Sequence, residues 1–154
     1  MLTAHTASEG AHGFILNRPI GSTVADFLSG EEFGELADVP VHIGGPVQTE
    51  QLTFASISPH ADQSRGVEFD SHLSTEMALR ARTAGHHVIA FVGYSGWTGG
   101  QLEAELMQRA WIASRAKRSL VDLPLNDRLW RELLRSMGPW YQLLADMPPD
   151  PSLN

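Results

Sequence analysis

In the first half of the chain, apolar residues come in short runs interrupted by Gly, Pro or small polar clusters. That texture predicts short strands joined by tight connections. Residues 2–5 read as a strand, 6–10 as a polar turn and 11–17 as the returning strand of a hairpin. Its apolar run Phe14-Ile15-Leu16 is broken at Arg18-Pro19, because proline lacks the amide a strand needs. Ser22 is placed as the N-cap of a short helix through Val24, Phe27 and Leu28 that Gly30 ends. Further strands are expected at 40–43, 52–57 and 67–69, with a turn at Gly44-Gly45-Pro46 and a polar loop over 58–66.

The second half changes period. Leu73, Met77 and Ala81 form a helical stripe over 74–84, supported by a Glu76–Arg80 pair and stopped by Gly85. Residues 87–92 are an unbroken apolar strand, as expected at a sheet centre covered on both faces. A glycine-rich turn over 93–100 leads to a helix opened by a Thr98–Gln101 capping box. Leu102, Leu106 and Ala110 share one face of that helix, and Glu105–Arg109 forms an ion pair on the other. A short strand is expected at 120–123, then an amphipathic helix over 127–137 with Leu129, Trp130, Leu133, Leu134 and Met137 on its apolar face. Gly138-Pro139 ends it before a final turn carrying Trp140, Leu143 and Leu144. Strands early and helices late favour α+β over a doubly wound parallel sheet. With no repeat or linker, residues 1–147 read as one domain and 148–154 as a loose, Pro-rich tail.

Composition narrows the function. The 154 residues carry 18 acidic and 11 basic side chains, a formal charge of -7, which disfavours a protein that coats nucleic acid. The absence of cysteine excludes disulfides, thiolate nucleophiles and Cys-based metal centres. Residues 1–9 lack the basic and apolar regions of a signal peptide, and the longest purely apolar stretch is far shorter than the roughly 20 residues of a membrane helix. A cytoplasmic protein without membrane association is expected. The charge is uneven: residues 1–79 hold 11 acids and 2 bases, residues 80–154 hold 7 acids and 9 bases. Arg109, Arg115, Lys117 and Arg118 could form a small anion-facing patch, or simply the solvated side of helices.

Four local patterns could carry chemistry. The glycines at 93–100 could let backbone amides hold an anion at a helix start, or form a tight turn under Tyr94 and Trp97; the spacing matches neither a dinucleotide fingerprint nor a P-loop. Ser95 follows a buried strand as a nucleophile would, but the glycine falls at 96 and not 97, and no spacing selects a partner among histidines such as His42 or His72. Seven histidines contain no metal-ligand spacing; His5 and His12 could approach across the first hairpin, and His87 is expected as a hydrogen-bonded core residue. Arg18 could clamp a carboxylate or phosphate, or pair with a nearby acid.

Taken together, Gly13-Phe-Ile-Leu-Asn-Arg-Pro19, His42-Ile-Gly-Gly-Pro-Val-Gln48 and Gly93-Tyr-Ser-Gly-Trp-Thr-Gly-Gly-Gln-Leu-Glu103 resemble the YqgE/AlgH family of small bacterial proteins. Ala110-Trp111 and the Leu129-Trp130 helix extend the resemblance over nearly the whole chain. It implies a single α+β domain whose bifurcated mixed sheet folds into a pseudo-barrel with flanking helices. Family members are often labelled transcriptional regulators, and the resemblance brings no catalytic residue, cofactor or metal; the position of Ser95 is commonly Ala. It also implies a further strand before residue 2, so a start upstream of Met1 is expected, and with it an exposed sheet edge in the chain as given. The expected function is a non-enzymatic regulatory or binding domain acting through a protein partner or small ligand. Asn17, Arg18, Pro19, Gly44, Gly45, Pro46, Gln48, Gly93, Tyr94, Gly96, Trp97 and Gln101 would form its surface. A DNA-binding regulator using the basic patch and a Ser95 hydrolase are the alternatives.

Overall fold

The structure, a computed structural model, describes residues 1–62, 64 and 66–147; the expected loose tail lies outside them. Seven strands in chain order form one mixed sheet: β1 Leu2–Thr6, β2 Gly10–Gly13, β3 Pro19–Thr23, β4 Pro40–Ile43, β5 Val47–Pro59, β6 Val67–Leu73 and β7 His87–Trp97. β7 is its spine. It pairs antiparallel with β5 over His87–Tyr94, parallel with β4 over Ala90–Val92, and antiparallel with β2 over Ser95–Trp97. This fork divides the sheet into two arms, β2–β1 and β4–β3, with β6 beyond β5. The sheet is not closed into a barrel, and β1 ends one arm.

Four helices are present among the described residues: α1 Thr75–Thr83, α2 Gln101–Met107, α3 Arg128–Arg135 and α4 Pro139–Asp146. The apolar run in β7 is explained by two cores, one on each face. Ile89 and Phe91 join Phe14, Leu16, Ala55 and Ile57, roofed by Leu120 and Leu129. Ala90 joins Val24, Leu36, Val39, Val41 and Phe54, roofed by Ala78 of α1. Because side chains alternate along a strand, adjacent residues of β7 serve opposite layers.

Several expected boundaries move. The apolar run at 14–16 leaves β2 and drops into the core, where Phe14 lies 4.9 Å from Phe91 between ring centres. Pro19 begins an edge strand, a position where the missing amide is tolerated. Ser22 caps no helix; Thr23 and Asp26 close a capping box on a single 3-10 turn, Val24–Asp26. Residues 120–123 lie in and beside a 3-10 turn, Arg118–Asp122, and not in a strand. α1 starts at Ser74, whose hydroxyl accepts from the Met77 amide, and it carries the Glu76–Arg80 pair at 2.6 Å. Its buried residue is Ala78, while Met77 faces out, so the stripe is rotated by one position. α2 stops at Met107, leaving Ala110 beyond it and Leu106 exposed. α4 replaces the expected final turn, with Pro139 in its first turn, where proline suits a helix.

Candidate functional site

The three shared motifs meet beside β7. The Gly44 amide donates to the Val92 carbonyl, and the Gly44 carbonyl accepts from the Ile15 amide at 2.8 Å and from the Ser95 hydroxyl at 3.2 Å. The Ile43 amide donates to the Arg18 carbonyl. Backbone therefore lies directly on backbone. A Cβ added to Gly45 would stand 2.2 Å from the Tyr94 carbonyl, and one on Gly44 would stand 2.2 Å from the Gly93 oxygen. Gly93 itself adopts φ +69, a conformation that side chains oppose, and lets β7 bend where a turn was expected. Strand pairing resumes after the bend and continues to Trp97.

This packing buries part of the candidate surface. Gly44, Gly45 and Gly93 are buried and Asn17 is half-buried; Arg18, Pro19, Pro46, Gln48, Gly96 and Gln101 remain exposed. Gln48 sits at φ +53 in an irregular stretch of β5, where pairing jumps from Val47–Tyr94 to Leu52–Val92. Arg18 forms no ion pair among the described residues. The Ser95 hydroxyl donates to a backbone carbonyl, and no hydrogen bond joins it to a histidine among the described residues. Two clefts lie away from the motifs: one of about 210 Å³ bordered by Asp38, Arg82 and His87, and a smaller one between Ile57 and Leu125.

The histidines are redistributed. His87 is exposed, and the buried histidine is His42, whose Nδ1 lies 2.9 Å from the Leu16 carbonyl. That contact makes Nδ1 a donor, and burial lowers the His42 pKa, so the neutral ring is favoured. His5 does not meet His12. It binds Glu103 at 2.6 Å and pulls that carboxyl below its usual range, while His12 stacks on Tyr94 at 4.3 Å and approaches His72 at 5.3 Å. Desolvation, then the charge of His72, lowers the His12 pKa. No group of three or more metal-ligating side chains gathers among the described residues.

Around Trp97 the structure adds an arrangement that sequence spacing does not reveal. Glu105 does not pair with Arg109. One of its oxygens accepts from the Trp97 indole at 3.0 Å and the Trp111 indole at 2.6 Å, and the other accepts from Gln101 at 3.0 Å. These bonds hold the Glu105 carboxyl below its usual range, that from Trp111 contributing most. The expected capping box does not open α2: Gly100, left-handed at φ +75, is its N-cap, and Gln101, its first residue, accepts from the Thr98 amide while its own amide donates to the Thr98 carbonyl. The indoles of Trp97 and Trp111 meet edge to face at 5.8 Å. Arg109, Arg115, Lys117 and Arg118 are exposed, and Lys117 also donates to the Ser136 carbonyl at the end of α3.

A forked mixed sheet between two helical layers, knitted by crossing glycine turns, defines a single α+β domain. The model of the AlgH-like family matches residues 1–142, and the chain belongs to that family. A UPF0301 protein of Chlorobium limicola is 30% identical over 168 aligned residues, covering 100% of this chain and 84% of its own. One of Streptomyces avermitilis is 35% identical over 158 residues, with coverage of 95% and 80%. The solution structure of the AlgH protein from Pseudomonas aeruginosa is similar with a TM-score of 0.63 and 27% identity, over 97% of this chain and 83% of that one. A crystal structure of a Corynebacterium diphtheriae protein shares the fold at a TM-score of 0.69 and 18% identity, over 96% and 81% of the two chains. No helix among the described residues is long and apolar enough to cross a membrane.

Proposed function

We propose that this chain is a non-enzymatic binding domain with a regulatory role. It recognises a protein partner through the side chains its shared motifs still present to solvent: Arg18, Pro19, Pro46, Gln48 and Gln101. The observation that carries this reading is the fate of the glycine turns. Their backbone packs against other backbone, which is the opposite of an open cradle of amides for phosphate. Small ligands bind in concave, largely apolar sites, and the two clefts described lie away from these motifs. Arg18 stands exposed next to Pro19, and arginine often dominates the energy of a protein contact. The engaged hydroxyl of Ser95 argues against the hydrolase alternative.

The test compares proteins captured from cell extract by the wild type and by an Arg18→Ala/Gln48→Ala double variant, using quantitative mass spectrometry. One or a few partners should fall about tenfold or more with the variant. An identical capture profile overturns the reading.

A further inference from the structure

We propose that residues 106–118 form a docking strap for an acidic segment of a partner protein that also carries apolar side chains. The proposal rests on the reading of this chain as a binding domain and adds a second surface with a defined partner chemistry. Beyond the end of α2, residues 108–117 form neither helix nor strand, and every residue from 106 to 115 is exposed. Leu106, Met107, Trp111 and Ile112 thus present four large apolar side chains within seven positions. Isolated exposed apolar residues are ordinary on a protein surface, but a continuous group of them marks an interaction site.

Charge supplies the second half of the argument. Arg109, Arg115, Lys117 and Arg118 fall within the strap, which contains no acid, while the chain as a whole stands at -7. A cationic stretch on an anionic molecule steers a short acidic segment to one place. The same overall charge repels a long polyanion, and Trp111 is the strap's single aromatic ring, whereas a single strand is held by a series of stacking platforms. A peptide with carboxylates and apolar side chains satisfies both features.

The strap is also prepared for binding. Trp111 is 50% exposed, yet its indole is pinned by Glu105 and edged against Trp97. An aromatic ring already held in place loses little freedom on contact, which suits it to be the anchor of an interface. Residues 111–116 form no backbone–backbone hydrogen bonds among the described residues. The Arg115 carbonyl accepts from the Ser114 hydroxyl and the Ala116 carbonyl lies against Gly66, so the exposed backbone of residues 111–114 is what an extended segment laid alongside would meet.

The test is fluorescence anisotropy with the full chain and a labelled synthetic peptide in which glutamate alternates with leucine and phenylalanine. Binding should weaken about tenfold when the glutamates become glutamine, and again when the apolar residues become serine. It should weaken similarly for Arg115→Glu/Arg118→Glu and, separately, for Ile112→Ser, which leaves the Trp111–Glu105 contact alone. Raising salt from about 50 to about 500 mM should reduce it further. The proposal is overturned if the peptide does not bind, if either strap variant binds it as the wild type does, or if labelled oligo-dT binds more tightly. A wild-type dimer in sedimentation that dissociates in these same variants also overturns it, because the strap would then cover a second copy. Lost peptide binding with Arg18/Gln48-dependent capture intact removes the strap alone; the converse removes the motif surface alone.

Discussion

Two regions of this molecule treat similar residue types in opposite ways. Beside β7, the glycine turns that look most like a ligand site are filled with backbone, and Phe91 and Ala90 are wholly buried on the two sheet faces. Along the strap and α4, large side chains stand in solvent: Trp140 is 71% exposed and Met107 79%. α4 shows the contrast within one helix, with Ala145 buried and Trp140 and Leu143 turned outward; Met147, just past its end, is exposed as well. The comparison teaches that a glycine motif can be specific because the fold needs close approach, while large apolar side chains stand free in a stretch without regular structure.

The largest effect should follow from filling the crossing. Gly45→Ala forces a methyl group into the Tyr94 carbonyl, so a loss above about 3 kcal/mol is expected in urea unfolding, at the upper end for overpacking. Gly34→Ala, where a Cβ meets nothing within 4 Å, should change stability by less than about 0.5 kcal/mol. Equal effects at the two positions would break the contrast between crossing and surface.

Acid should weaken the buried region next. Burial lowers the folded pKa of His42 below its unfolded value of about 6.5, so its contribution is complete above that pH and is lost as pH falls through the folded value. His12 acts in the same direction, through desolvation first and His72 second. Unfolding curves measured from about pH 7 down to about pH 5 should show declining stability, with a shallower decline in His42→Gln. An unchanged slope in that variant would assign the acid loss to other groups.

The Glu105 contact offers a smaller, local effect. In Glu105→Gln the charged acceptor shared by two indoles is gone, so acrylamide should quench tryptophan fluorescence more strongly, with little change in the far-UV circular dichroism of the fold. Unaltered quenching would mean that Trp111 is not held in place. The smallest effect is expected at Trp140→Ser. This exposed side chain has little burial to lose, so stability should stay within about 0.5 kcal/mol of wild type.

Much of the strand and helix order was readable in the chain. Period and punctuation located the first hairpin, residues 40–43, the central apolar strand, α1 and α3, because each depends on neighbours in sequence. Pairing beyond those local signals was not readable. β3 and the extension of β7 past Gly93 are strands because β4 and β2 lie beside them, despite a proline in one and a bent glycine in the other. The same limit applies to the site. The motifs could be seen, but not that Gly44 and Gly45 face backbone, or that Glu105 prefers two indoles to Arg109.

Residue order alone therefore settled the α+β class, the single domain and the absence of cysteine chemistry, since these follow from local periodicity and composition. Tertiary structure decided which faces are inside: Ala78 rather than Met77, His42 rather than His87, the glycine turns rather than the strap. The reason is physical. Burial and close approach are properties of pairs of segments brought together from distant parts of the chain, and a residue's own identity cannot state what will lie against it.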